Sequence, residues 1–144
     1  MALGKKDKDT KKEKAPRVRA RGEIGEKTSW DEENKKLIGL MQAGNLDEAL
    51  DQAHKLLDHV DAKYGKKDHP EKATTYNNMG MVLMMKGMWD LADEAFRDAL
   101  EMRKKIYGRE HREVAVIYLN MTQLYKLQAQ QILAELNVEV QERA

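Results

Sequence analysis

The chain has 144 residues, 35% of them charged, and a mean hydropathy of −0.80. That is one domain's length with a surface-rich composition, and no run of about 18 apolar residues is present to cross a bilayer. It holds no cysteine, which excludes disulfides, thiolate metal sites and cysteine nucleophiles, and two prolines with nine glycines are too few for the many tight turns of an all-β fold.

Residues 1–28 come first and differ from the rest. Residues 1–22 carry nine Lys/Arg against three Asp/Glu, a charge of +6, whereas residues 23–144 carry seventeen against twenty-two, a charge of −5. The stretch 1–28 has no aromatic residue and too few apolar ones to offset chain entropy, so it is expected to be a disordered basic tail. Its charged start also lacks the apolar core of a secretory signal, which points to an intracellular, cytoplasmic protein. The tail could contact nucleic acid, an anionic membrane face or the acidic body; without aromatic residues to stack on bases, and diluted by Asp7, Asp9 and Glu13, it makes nucleic acid an unlikely partner.

The first helix is predicted from about residue 30 to 43, opened by the capping pattern Ser29-Trp30-Asp31-Glu32. Helices follow at about 46–63, 69–86, 89–106 and 111–129, with a last segment to about 142. Asp68-His69-Pro70-Glu71 caps the third, with Asp68 at the cap and Glu71 three residues later, proline being tolerated in a first helical turn. In the central pair, Tyr76, Met79 and Leu83, then Ala92, Ala95, Phe96, Ala99 and Leu100, recur at helical spacing on either side of the turn Lys86-Gly87-Met88. Gly80, Ala92, Ala95 and Ala99 fall where those two helices cross, and their small side chains let the backbones approach. No Gly or Pro lies between Arg112 and Arg143, so the fifth helix and the last segment either run on or bend near Gln128–Gln131. The stripe Ile132, Leu133, Leu136 and Val140 is expected to form a C-terminal capping helix, residues 130–144, over the open end of a stack.

The chain repeats itself. Gly44-Asn45-Leu46-Asp47-Glu48-Ala49 aligns with Gly87-Met88-Trp89-Asp90-Leu91-Ala92 at an offset of 43, as Tyr64-Gly65 does with Tyr107-Gly108. Past one deletion the offset becomes 42: His69 meets His111, Ala73 Ala115, Tyr76 Tyr118, and Asn78-Met79 Asn120-Met121. About two and a half copies are present, spanning residues 29–129, which implies stacked helical hairpins.

At these residues the sequence resembles the tetratricopeptide repeat family. Tyr76, Met79, Gly80, Leu83, Ala92, Phe96 and Ala99 fill all of the family's signature except a final proline, where Lys104 stands. The period of 42–43, with Tyr107-Gly108…His111 and Tyr64-Gly65…His69-Pro70-Glu71, is similar to the kinesin light chain variety. The first hairpin departs from the pattern, with Glu33 at the aromatic position and Lys36 at a leucine position, and Trp30 is the candidate replacement anchor. The resemblance implies an all-α, right-handed superhelical stack of antiparallel helix pairs, an α-solenoid whose first helices line a concave groove. It implies a groove-facing set of Thr74, Asn77, Asn78, Met81, Met84 and Met85, then Val116, Leu119, Asn120, Gln123, Lys126 and Leu127, with Asn34, Lys35, Ile38, Met41 and Gln42 in the first hairpin. Asn78 and Asn120 match the position where related proteins clamp a bound peptide's backbone, a task suited to an amide that both donates and accepts.

Catalysis has little support. His54, His59, His69 and His111 have no partner at metal or acid–base spacing; His54 and Asp58, four apart, form at most a solvated pair, and His69 with His111 suits capping or packing at equivalent turns. No phosphate-cradling glycine loop is present, and Met81 with Met84 is too sparse for a thioether metal site. No catalytic residue, metal or cofactor is expected. The methionines suit either the groove, as adaptable apolar contacts, or the core. Charged runs such as Arg103-Lys104-Lys105 and Glu32-Glu33 read as outer, solvated faces. The function expected is a non-catalytic adaptor or scaffold that binds a peptide or helix of another protein, with Met81, Met84, Met85 and Leu127 supplying apolar burial and Asn78 and Asn120 setting register. The alternatives are a self-assembly module joined through Ile132, Leu136 and Val140, and a nucleic-acid-associated accessory protein using the tail.

Overall fold

The structure, a computed structural model, describes residues 29–143, with backbone alone for residues 139–142. The expected basic tail and the Val140 side chain therefore lie outside the described residues. Five helices follow in order: α1 (Trp30–Gln42), α2 (Leu46–Tyr64), α3 (Pro70–Met85), α4 (Trp89–Tyr107) and α5 (Arg112–Arg143). Adjacent helices pack against one another, and α3 also touches α1 and α5. This is the all-α stack of antiparallel hairpins expected from the repeat.

Local signals set the helix ends. The Ser29 hydroxyl accepts from the Glu32 N–H at 3.3 Å while the Glu32 carboxylate accepts from the Ser29 N–H, so two otherwise orphaned donors are paired. The α1–α2 and α3–α4 turns are copies: Gly44 and Gly87 take φ of 75° and 73°, and the following N–H groups reach back to Leu40 and Leu83 carbonyls. Only glycine adopts that conformation without a steric cost, which is why it recurs at both turns.

The core runs along the stack as one cluster, from Leu37 and Leu56 through Phe96 and Leu83 to Ile117 and Leu124. Nine of the sixteen residues of α3 are buried, because four helices surround it. Trp30 packs against this core and its indole N–H donates to the Thr75 hydroxyl at 3.0 Å, so it serves as the anchor the first hairpin needs. Glu33, at the aromatic position, instead accepts from Gln52 of α2 through both its carbonyl and its carboxylate.

Two details differ from the sequence reading. Arg103 is 5% exposed, not on a solvated face: its guanidinium donates to the Glu113 carbonyl at 2.9 Å, pairs with the Glu113 carboxylate at 3.4 Å and reaches Thr74. It takes the repeat position of the buried Val60, 43 residues earlier, so the register of the repeat outweighs the charge of its neighbours. The second detail is the stripe expected to cap the stack, which stays exposed because, of the two courses left open, the helix runs on. α5 continues unbroken for 32 residues, and Ile132, Leu133 and Leu136 are 50%, 59% and 49% exposed along its second half. Among the described residues, the Trp89 indole anchors it there on α4, donating to Gln131 at 2.9 Å.

Candidate functional site: the surface of the first helices

Helices α1, α3 and α5 are the first members of the three repeats and lie side by side. Two hydrogen bonds between side-chain amides join them. Asn78 donates to the Asn34 side-chain oxygen at 2.8 Å, and Asn120 donates to the Asn77 oxygen at 2.9 Å. The pairs are 44 and 43 residues apart, so adjacent asparagines on α3 serve opposite neighbours, one toward α1 and one toward α5. Asn77 and Asn78 are 6% and 8% exposed, and no buried side-chain nitrogen or oxygen among the described residues lacks a partner. Satisfied buried amides fix which helix faces which, because any other register would strand a polar atom.

The expected groove residues divide into three groups. Met84 and Met41 belong to the core, 9% and 7% exposed, so the methionine stripe is split: Met79 and Met84 pack inward, Met81 is half-buried against the core, and Met85 is 46% exposed. Thr74, Asn77, Asn78 and Asn120 are engaged with other helices, Thr74 through Arg103 of α4. Val116, Leu119, Gln123 and Lys126 are exposed, Leu127 is half-buried, and in α1 Lys35, Ile38 and Gln42 are exposed beside a half-buried Asn34. What remains accessible across the three helices is an apolar series, Ile38, Met85 and Val116, alongside the half-buried Met81 and Asn120.

The inter-repeat turns hold a second repeated device. The His69 imidazole accepts the Glu71 N–H through Nδ1 at 3.1 Å and stacks on Tyr64 at 3.8 Å; His111 does the same for Glu113, stacked on Tyr107 at 4.4 Å. Each ring thus caps a first helix while packing on the end of the preceding one, and the cap of α3 is His69 rather than the expected Asp68, because the imidazole Nδ1 takes the Glu71 N–H. The Tyr64 hydroxyl also donates to Glu71 at 2.6 Å, and burial with that bond raises the tyrosine's pKa. Arg103 is the residue sequence reasoning missed. Burial pulls its guanidinium pKa down, opposed by the Glu113 charge beside it.

Among the described residues, no three His, Asp or Glu side chains gather as metal ligands, and no helix is long and apolar enough to cross a membrane. Paired helices stacked in one layer, with their first members aligned along one side, define a helical-hairpin solenoid. The tetratricopeptide repeat family profile matches residues 38–105 and again residues 71–139. The chain belongs to the tetratricopeptide repeat family. No curated protein matches it. Repeats of this family generally mediate protein–protein interaction and typically carry no catalytic activity.

Proposed function

We propose that the protein is a non-catalytic adaptor that holds a peptide or helix of a partner protein in a concave groove along α1, α3 and α5. The observation that carries this reading is the accessible apolar series Ile38, Met85 and Val116, 39%, 46% and 37% exposed, contributed by three adjacent first helices. Apolar side chains presented singly are ordinary, but here each of three packed first helices contributes one to the accessible surface that a partner's apolar residues would meet. Met81 and Leu127 line the floor, and Asn120 presents its remaining amide capacity to a bound main chain. Thr74, Asn77, Asn78 and Met84 support the groove from beneath, Leu119, Gln123 and Lys126 extend it along α5, and the repeat is read as the kinesin light chain variety.

In this reading the repeats occupy residues 29–129 and residues 1–28 form a basic tether beside an acidic body. A chain without cysteine suits the reducing cytoplasm, where we place it.

The test is affinity capture with the full chain, comparing wild type with the variant Met85→Glu/Val116→Glu. Both residues are exposed, so the variant keeps its helicity by circular dichroism. Loss of the captured partner supports the groove; unchanged capture by the folded variant overturns it. Parallel capture without residues 1–28 separates a tail-dependent contact from a groove-dependent one.

A further inference from the structure

α5 has the first-helix half of a repeat, and among the described residues no second helix folds back to cover it. Its Tyr118, Thr122 and Tyr125 are the repeat equivalents of Tyr76, Gly80 and Leu83 on α3, 42 residues earlier. On α3 this face turns to α4, with Gly80 against the Phe96 ring and Leu83 buried. On α5 it is only partly covered: Tyr118 and Tyr125 are 48% and 43% exposed, touched from α4 by Lys104 over the Tyr118 ring and by Asp93 and Arg97 at the Tyr125 hydroxyl.

The hairpin turn that would bring a covering helix back is missing. The two existing turns rest on Gly44 and Gly87 at positive φ; one period after Gly87 stand Ala129 and Gln130, and the helix runs straight through them. The open face therefore lengthens instead of closing. Tyr118, Thr122, Tyr125, Ala129, Ile132 and Leu136 follow one another at steps of four, three, four, three and four, all of them exposed. Alternating three- and four-residue steps are the seam of a helix that packs along another helix.

We propose that a second copy of this chain completes the third repeat. Two α5 helices pair antiparallel about Leu127, and each C-terminal half serves as the covering helix for the partner's Tyr118–Tyr125 face. In this register Tyr118 meets the partner's Leu136, Thr122 the partner's Ile132 and Tyr125 the partner's Ala129, so all six seam residues are buried and the bulky Tyr125 faces the smallest of them.

Charge favours the same occupant and orientation. The first half of α5, residues 112–128, carries Arg112 and Lys126 against Glu113, whereas residues 129–143 carry Glu135, Glu139 and Glu142 against Arg143. Antiparallel pairing sets each acidic half beside a basic one and opposes the helix dipoles; parallel pairing aligns like with like. The N-terminal segment does not fit the seam, since residues 4–23 contain only Ala15, Val18 and Ala20 as apolar residues.

The absence of native cysteine makes the test direct. Light scattering on the full chain over a dilution series is expected to give twice the 16.6 kDa chain mass at the concentrated end. Ile132→Glu/Leu136→Glu, at sites exposed in the single chain, is expected to give the monomer mass with unchanged far-ultraviolet circular dichroism. Tyr118→Cys/Leu136→Cys reports the register, because those positions lie about 27 Å apart in one straight helix and cannot bond within a chain. Mild oxidation is expected to produce a disulfide-linked dimer, while Tyr118→Cys alone, held equally far from its partner's copy, stays unlinked. A monomer mass at every concentration overturns the proposal. So does an internal disulfide in the double variant, which would show α5 folding back on itself, or a link through Tyr118→Cys alone, which would show a parallel pair.

Discussion

A Cβ placed on Gly80 would stand 2.6 Å from Cδ1 and 2.7 Å from Cε1 of Phe96, a ring with no exposed surface. The closest approach of α3 and α4 thus depends on a missing side chain. Gly80→Ala gains up to about 1 kcal/mol of helix propensity but must displace a buried ring, an overpacking cost of about 1–3 kcal/mol. Net destabilisation is expected in urea unfolding, partly relieved in Gly80→Ala/Phe96→Leu. A more stable Gly80→Ala would show that α3 and α4 can part at no cost.

The hydrogen-bonded pair Asn34 and Asn78 is expected to behave as one unit. Either residue changed to alanine leaves a partly buried amide without its partner and costs about 1–3 kcal/mol. The double change should cost less than the sum, with a coupling of at least about 0.5 kcal/mol in a double-mutant cycle. Strict additivity would mean the bond fixes nothing.

Arg103 joins α3, α4 and α5 through Thr74 and Glu113. Arg103→Met is expected to lower stability by about 1.5–3 kcal/mol, since a charged hydrogen bond to the Glu113 carbonyl is lost. Arg103→Lys should recover little of this, because one ammonium cannot reproduce a planar fork that spans two partners. Thermal unfolding of the three proteins decides it; full recovery by lysine would reduce Arg103 to a point charge.

His69 and His111 each accept a backbone N–H at a helix start. Replacing either by alanine should cost about 1 kcal/mol, and the two costs should add, because the sites sit at separate turns. His69→Asn keeps an acceptor but loses the stack on Tyr64, so it should fall between wild type and alanine.

Asp93 gives a pH dependence of known sign. Burial pushes its carboxyl upward, but the Tyr125 hydroxyl and the Arg97 guanidinium outweigh burial and hold it below the ordinary carboxylate value. A folded pKa below the unfolded one, about 3.9, means its contribution is present above that pH and fades as pH falls through the folded value. Tyr125→Phe is expected to raise the Asp93 pKa in a carboxyl NMR titration. The stability difference between variant and wild type should shrink on acidification; a difference that grows instead would reverse the assignment.

Much of this was legible in the chain itself. Offsets of 42 and 43 placed every hairpin, because repeated units must stack in a repeated way. Ser29, Gly44, Gly87 and His69 marked helix ends through short-range bonds that a few residues complete. Glu33 and Trp30 flagged the irregular first hairpin, and the structure gives each a partner, Gln52 and Thr75.

Other assignments needed the third dimension. Helical spacing places Met84 on the same helix as Met81 and Met85, but only the neighbours around α3 decide that Met84 is buried while Met85 is exposed. Asn78 reads alike whether it awaits a ligand or bonds Asn34, 44 residues away. The sequence by itself determined the period, the helices and their caps, which depend on contacts within a turn or on self-similarity. Tertiary structure alone decided which polar groups pair across helices and which apolar faces stay open, because burial is a property of the neighbours a residue meets and not of its own spacing.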